Sequence, residues 1–161
     1  MDTLEYVMLE IGSIAPDFAL ENQTREVIRL SDFRGRKNVV IAFHPFAFTP
    51  VCTRQMQSYQ AAWPTLESLD VQVLGISTDA GPSKAAWAAS MGGLPFAVLA
   101  DHHPHGAVAS AYGAMGNFGL AERTIFIVDK SGRIAWAKHH GMDDDPSLDE
   151  LMAELRKLAT A

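Results

Sequence analysis

Six residues, Asn38-Val39-Val40-Ile41-Ala42-Phe43, run without charge and without alternation, as a strand buried on both faces must. A helix is expected after them. Thr49 suits its N-cap and Pro50 its first position, where a missing N–H costs nothing. Pro64 should kink or interrupt it, and Ser68-Leu69-Asp70 should close it before a second strand, Val71-Gln72-Val73-Leu74-Gly75-Ile76-Ser77. Strand, helix and strand over this distance make a βαβ unit, parallel and right-handed in nearly all known cases. That unit commits the chain to an α/β sheet.

The flanking sequence adds to the sheet. Residues 14–20 and 26–30, around the turn-prone Glu21-Asn22-Gln23-Thr24, suit an N-terminal hairpin. Ser83 should cap a short helix over 84–91 that Gly92-Gly93 stops. A strand over 96–99 and a small helix over 107–112 follow. Residues 124–129 and 133–138 flank the turn Lys130-Ser131-Gly132 as an antiparallel hairpin. Ser147-Leu148-Asp149-Glu150 reads as a capping box, with Leu148, Leu151, Met152, Leu155 and Leu158 on one helix face. The expected fold is a thioredoxin-like mixed β-sheet flanked by helices on both faces, with an N-terminal β-hairpin extension and an insertion. No repeat, low-complexity tract or Gly/Ser linker divides the chain, so residues 1–161 are expected to form a single domain.

A net charge of −6 and a pI near 5.4 argue against nucleic acid as a partner. No run reaches the roughly 18–20 apolar residues of a membrane helix. Met1-Asp2-Thr3-Leu4-Glu5 has no basic leader, and one cysteine gives no disulfide scaffold, so the expected location is cytoplasmic.

That cysteine, Cys52, falls at the third position of the helix if Thr49 caps it. First-turn N–H groups lack intrahelical partners and the helix dipole is positive there, so a thiolate, the reactive form, is stabilised. The Thr49 hydroxyl can accept from the helix or donate to a bound oxygen. Pro45, with a rigid ring and no N–H, can wall the sulfur from water without competing for its charge. A lone cysteine is more often inert packing; these neighbours argue otherwise.

Pro45-x-x-x-Thr49-x-x-Cys52 resembles the peroxidatic motif of peroxiredoxins. Gly12-Ser13-Ile14-Ala15-Pro16-Asp17-Phe18 resembles that family's opening segment, and Arg123-Thr124-Ile125-Phe126-Ile127-Val128-Asp129 its Arg-bearing strand. The stretch from Pro104-His105-Gly106 to Ala111-Tyr112-Gly113 points toward the AhpE-type one-cysteine subgroup, and the resemblance spans residues 11 to 138. It implies a thiol peroxidase in which Cys52 attacks hydrogen peroxide or an organic hydroperoxide and becomes a sulfenic acid. Arg123 would lie beside Cys52 and hold both thiolate and peroxide, with Thr49 and the Cys52 N–H as further donors. With no resolving cysteine, an external thiol or a glutaredoxin- or thioredoxin-like protein would complete the cycle. The resemblance implies no metal, haem or flavin, and suggests a homodimer. A redox sensor using the same thiol is the alternative.

Two positions depart from the family pattern. His44 stands where Tyr is common, offering either a titratable group near the site or a packed neutral imidazole. Gln55 stands where Glu is common and removes a carboxylate, so any ion pair with an arginine is lost. Elsewhere, Asp101-His102-His103-Pro104-His105 has metal-ligand residue types but reads as a polar loop. His139-His140 reads as solvated, and Asp143-Asp144-Asp145 as an exposed loop before the last helix. Glycine-rich 113–119 lacks the Lys-Ser/Thr ending of a phosphate loop. Trp87, Tyr112 and Phe118 could line an organic-peroxide pocket, with Trp87 the best candidate for core instead.

Overall fold

Residues 9–159 are described by the computed structural model; the acidic opening Met1–Glu5 lies outside them. The β-branched run forms β3 (Asn38–Phe43), every residue of it buried. On one side β3 pairs in parallel with β4 (Val71–Ser77), which pairs in parallel with β5 (Ala97–Ala100). On the other side it pairs antiparallel with β6 (Thr124–Val128), followed by β7 (Ile134–His139). The order β5-β4-β3-β6-β7 makes a mixed five-stranded sheet with β3 at its centre. The N-terminal hairpin, β1 (Ala19–Glu21) with β2 (Val27–Arg29), stands apart as a two-stranded sheet. Its first strand is shorter than 14–20, because Ile14 makes only an isolated bridge to Arg133.

Alternation along the strands separates two cores. Val40, Ala42, Val73, Ile125 and Ile127 point to one face. There they meet Met56 and Tyr59 of α1 (Pro50–Ala61), Leu66 of α2 (Trp63–Ser68), Trp87 of α3 (Gly81–Ser90), and Leu151 and Leu155 of α5 (Leu148–Ala159). Val39, Ile41, Phe43, Leu74, Ile76 and Phe126 point the other way. The cover on that side is Ala109 of α4 (Ala107–Ala111) and the N-terminal segment with Phe18 and Leu30. Helices thus cover both faces, though among the described residues four pack on one and a single short one on the other.

Helix boundaries follow the prolines. The first helix ends at Ala61, and Pro64 sits in the first turn of α2. The expectation for Ser83 is corrected: α3 starts at Gly81 behind an extended Ala80, with Pro82 in its first turn and Ser83 inside the helix. Proline presets the backbone angle for that turn, so the helix begins before any hydroxyl cap. Gly92, at φ +81°, ends it, with Gly93 N–H donating to the Ala88 carbonyl. In α5 half of the capping box forms: Ser147 Oγ accepts from the Glu150 N–H at 3.2 Å. The Glu150 carboxylate instead takes Lys138 of β7 at 2.7 Å, tying helix to sheet. Among the described residues, no helix is long and apolar enough to cross a membrane.

Candidate active site

The centre of the site is the passage from β3 into α1. Phe43 ends the strand, His44 and Pro45 follow, both buried, and Phe48 takes a left-handed backbone (φ +68°). Thr49 is extended and Pro50 opens the helix. The buried stripe of α1 is Cys52, Gln55, Met56 and Tyr59, the i, i+3, i+4, i+7 spacing of one helix face. Cys52 therefore sits in the first turn and points inward, at 0% exposure. Thr49 is the N-cap residue, but its hydroxyl donates to the Phe46 carbonyl at 2.8 Å and makes no bond to the helix. It closes the preceding loop, leaving the first-turn N–H groups uncapped by that side chain.

Arg123 precedes β6. Because Thr124 lies opposite Phe43, the arginine emerges beside the end of β3, where the loop to α1 begins. Its Nη2 donates to Cys52 Sγ at 3.4 Å and to the Met142 carbonyl at 3.1 Å, and its Nη1 to Gln55 Oε1 at 2.9 Å. Gln55 Nε2 in turn donates to the Tyr59 hydroxyl at 3.0 Å. Burial pushes the Tyr59 phenol up to about 12, so it stays neutral. Gln55 thus replaces an ion pair with a neutral hydrogen bond, and no carboxylate at that position competes with the sulfur for the guanidinium. A fixed charge held on both sides, together with the helix dipole, favours negative charge on Cys52. Among the described residues Arg123 Nε is buried without a partner, a polar cost of this placement.

A cavity of about 220 Å³ opens beside the arginine, lined by Pro45, Phe46, Thr49, Pro50, Val51, Arg123, Met142 and Asp143. It brings Pro45, Thr49 and Arg123 together, with Cys52 behind its wall. Met142 and Asp143 belong to the loop between β7 and α5 and were not marked as site residues by the sequence; the acidic run was their one signal. That loop is held down by Arg54 to Asp145 at 3.2 Å and by His140 Nδ1 to Asp144 at 3.5 Å. His140 is buried, correcting its reading as solvated: its N–H donates to the Arg123 carbonyl at 2.7 Å, drawing the ring inward. Burial lowers its proton affinity despite the nearby Asp144.

None of the aromatic candidates lines this cavity. Trp87 is buried core on the α1 side of the sheet. Tyr112 lies on the opposite face, its hydroxyl donating to the Pro16 carbonyl at 2.6 Å. Phe118 is 96% exposed. His102 and His105 face backbone carbonyls, Thr78 at 3.2 Å and Gly119 at 2.7 Å. His44 is the packed imidazole, with Lys84 Nζ 2.8 Å from its Nε2. Nothing in the Ala-rich sequence of α3 distinguishes that lysine from a surface one.

A cysteine at a helix start under a buried arginine, on a mixed sheet of this order, defines a thioredoxin-fold thiol site. Residues 11–137 match the AhpC/TSA family model, and the chain belongs to that family, the peroxiredoxins. It is 39% identical over 132 residues to alkyl hydroperoxide reductase E of Mycobacterium bovis, covering 81% of this chain and 86% of that protein. The same figures hold for alkyl hydroperoxide reductase E of Mycobacterium tuberculosis. Among solved structures, Mycobacterium tuberculosis AhpC aligns with a TM-score of 0.84 at 25% identity over 94% of each chain. Peroxidoxin BcpB of the same organism aligns at 0.81 and 28% identity, over 93% of this chain and 98% of that one. The chain is a thiol peroxidase of the peroxiredoxin type, reducing hydroperoxides at the expense of a thiol, and carries a single cysteine.

Proposed function

We propose that Cys52 is the peroxidatic residue and that its sulfenic acid is resolved by a thiol from outside the chain. The observation that carries this is the 3.4 Å contact from Arg123 Nη2 to Cys52 Sγ in the first turn of a helix. The thiolate attacks the distal oxygen of the hydroperoxide; an S–O bond forms as the O–O bond breaks. Sulfur is oxidised, the leaving oxygen takes a proton to become water or an alcohol, and Cys52 is left as sulfenic acid. Arg123 stabilises the thiolate and donates to the peroxide oxygens as charge shifts between them. The Cys52 N–H is a further donor; the Thr49 hydroxyl, whose proton goes to the Phe46 carbonyl, offers a lone pair to the peroxide O–H, and Pro45 keeps water from the sulfur. With one cysteine in the chain, the sulfenic acid condenses with an external thiol and a second thiol releases the reduced enzyme. The half-exposed Phe46 and Phe48 beside the cavity suit a homodimer interface.

Stopped-flow mixing with hydrogen peroxide tests the first half. Rapid loss of one thiol per chain, abolished in Cys52→Ser, is the expected result; a thiol no faster than free cysteine overturns it. Mass spectrometry after one peroxide equivalent, with and without a small thiol, should show the sulfenic acid and then a mixed disulfide.

A further inference from the structure

Lys84 is fully buried, beneath the loop that carries the active site. An ammonium has three N–H donors, and this one has three receivers. His44 Nε2 stands at 2.8 Å and Ser77 Oγ at 2.9 Å, and the Trp87 ring lies with its centroid 5.0 Å away. Since Lys84 donates to Nε2, the imidazole proton is on Nδ1, which donates to the Ala42 carbonyl at 3.2 Å. The Ser77 hydroxyl passes its own proton toward Asp79 Oδ2 at 2.6 Å, and that oxygen also accepts from the Ala47 N–H at 2.8 Å. Trp87 Nε1 donates to Thr53 Oγ1 at 3.1 Å. The network therefore grips the active-site loop at three points: His44 next to Pro45, Ala47 in its middle, and Thr53 next to Cys52.

We infer that Lys84 is a positioning residue for the peroxidase reaction, a buried cation whose contacts with His44, with Ser77 and, through Ser77, with Asp79 hold the loop on both sides of Cys52 and couple its charge to that of the sulfur. The inference rests on the peroxidatic reading of Cys52. The charged and titratable groups facing the pair come from four elements. His44 follows β3, Asp79 follows β4, Cys52 lies on α1, and Arg123 at the head of β6 acts on His44. Burial lowers the affinity of Lys84 for its proton to about 7, while the charges of Asp79 and Cys52 raise it. Burial and the neighbouring Lys84 and Arg123 hold His44 well below its ordinary range, so it remains the neutral acceptor. Coupling between two charges is reciprocal: an ammonium at Lys84 favours the thiolate, and the thiolate favours the ammonium. Oxidation takes the thiolate and hydroperoxide, with one proton from solvent, to neutral sulfenic acid and an alcohol or water. The negative charge is gone afterward, and Lys84 then holds its proton less tightly.

The pH dependence of peroxide reduction tests the coupling. Lys84→Met removes the titrating charge and keeps a side chain of similar length. It should slow peroxide reduction several-fold near pH 6 and leave it unchanged at high pH, where the wild-type lysine is neutral too. A folded Lys84→Met with the wild-type pH–rate profile overturns the inference. A readout that does not need this variant is the fluorescence of Trp87, in a protein with Trp63 and Trp136 changed to Phe. Its pH midpoint should fall in Cys52→Ser and in peroxide-treated protein relative to reduced protein; the same midpoint in all three overturns the inference. Failure of wild-type Cys52 to consume peroxide would strike the peroxidatic reading instead, while the Trp87 fluorescence of reduced protein and of Cys52→Ser would still measure the coupling.

Discussion

Two buried cations, Arg123 and Lys84, serve the segment that carries Cys52, and they are held in opposite ways. Arg123 reaches it from the cavity side, touches the sulfur, and is anchored by Gln55 and the Met142 carbonyl. Lys84 does not reach the cavity; it is caged by His44 and Ser77 beneath the loop. A guanidinium keeps its charge at any pH a protein meets, whereas a buried amine gives its charge up. The difference suits the two roles proposed above: a charge at the sulfur that stays constant, and a charge under the loop that depends on pH. Stability bears the contrast too, since a lysine with lowered proton affinity opposes folding wherever it is charged.

Removing the fixed charge should have the largest effect. Arg123→Met is expected to slow thiol oxidation by hydrogen peroxide about 10²–10³-fold, the scale of losing one preorganised donor. Arg123→Lys should recover little of it, because one ammonium cannot serve Sγ, Gln55 and the Met142 carbonyl in the same geometry. Stopped-flow rates on both variants measure this, and a near-wild-type Arg123→Lys would erase the distinction between the two cations.

Lys84 should appear next, in the pH dependence of stability. Its folded value of about 7 lies below the ordinary lysine value of about 10.4, so between the two the unfolded chain binds more protons. Unfolding free energy contributed by this residue therefore rises with pH across that window, and the burial penalty is fully present below it. Urea midpoints should climb from pH 7 to pH 10 more steeply for wild type than for Lys84→Met. Equal slopes would mean that Lys84 does not titrate there.

The smallest expected effect is Gln55→Glu. A carboxylate there would pair with Arg123 Nη1 and share the guanidinium with the sulfur, disfavouring the thiolate. Peroxide reduction near neutrality should slow several-fold, by about 1 kcal/mol for one added charge on a shared partner. An unchanged rate would show that Arg123 has potential to spare.

The sequence made one side of this contrast legible. Pro45, Thr49, Pro50 and Cys52 lie within eight positions, so their arrangement follows from local helix-start rules. The βαβ unit was equally plain, because a run with no polar face has few other places to go. Arg123 was reachable through family resemblance, not through spacing: its nearness depends on the pairing of β3 with β6. Lys84 had no signal, because a lysine in a short Ala-rich helix looks like surface until the helix is docked. The Met142 carbonyl and the buried His140 were hidden for the same reason, each tied to Arg123 by a contact that no local pattern encodes. Ser83 misled because a hydroxyl is a good cap, yet Pro82 had already set the turn.

The 71-residue separation of Cys52 and Arg123 has a consequence for the chain as it is made. Synthesis delivers the thiol early, with β3 and α1, and Lys84 soon after. The guanidinium arrives only with β6, and the Met142 carbonyl that anchors it comes later still. A nascent chain, or one truncated before β6, carries a cysteine without its fixed charge, and the antiparallel closure of β6 onto β3 arms it. Peroxide reactivity is in this sense a late property of the polypeptide, acquired when the last third of the chain has found its place.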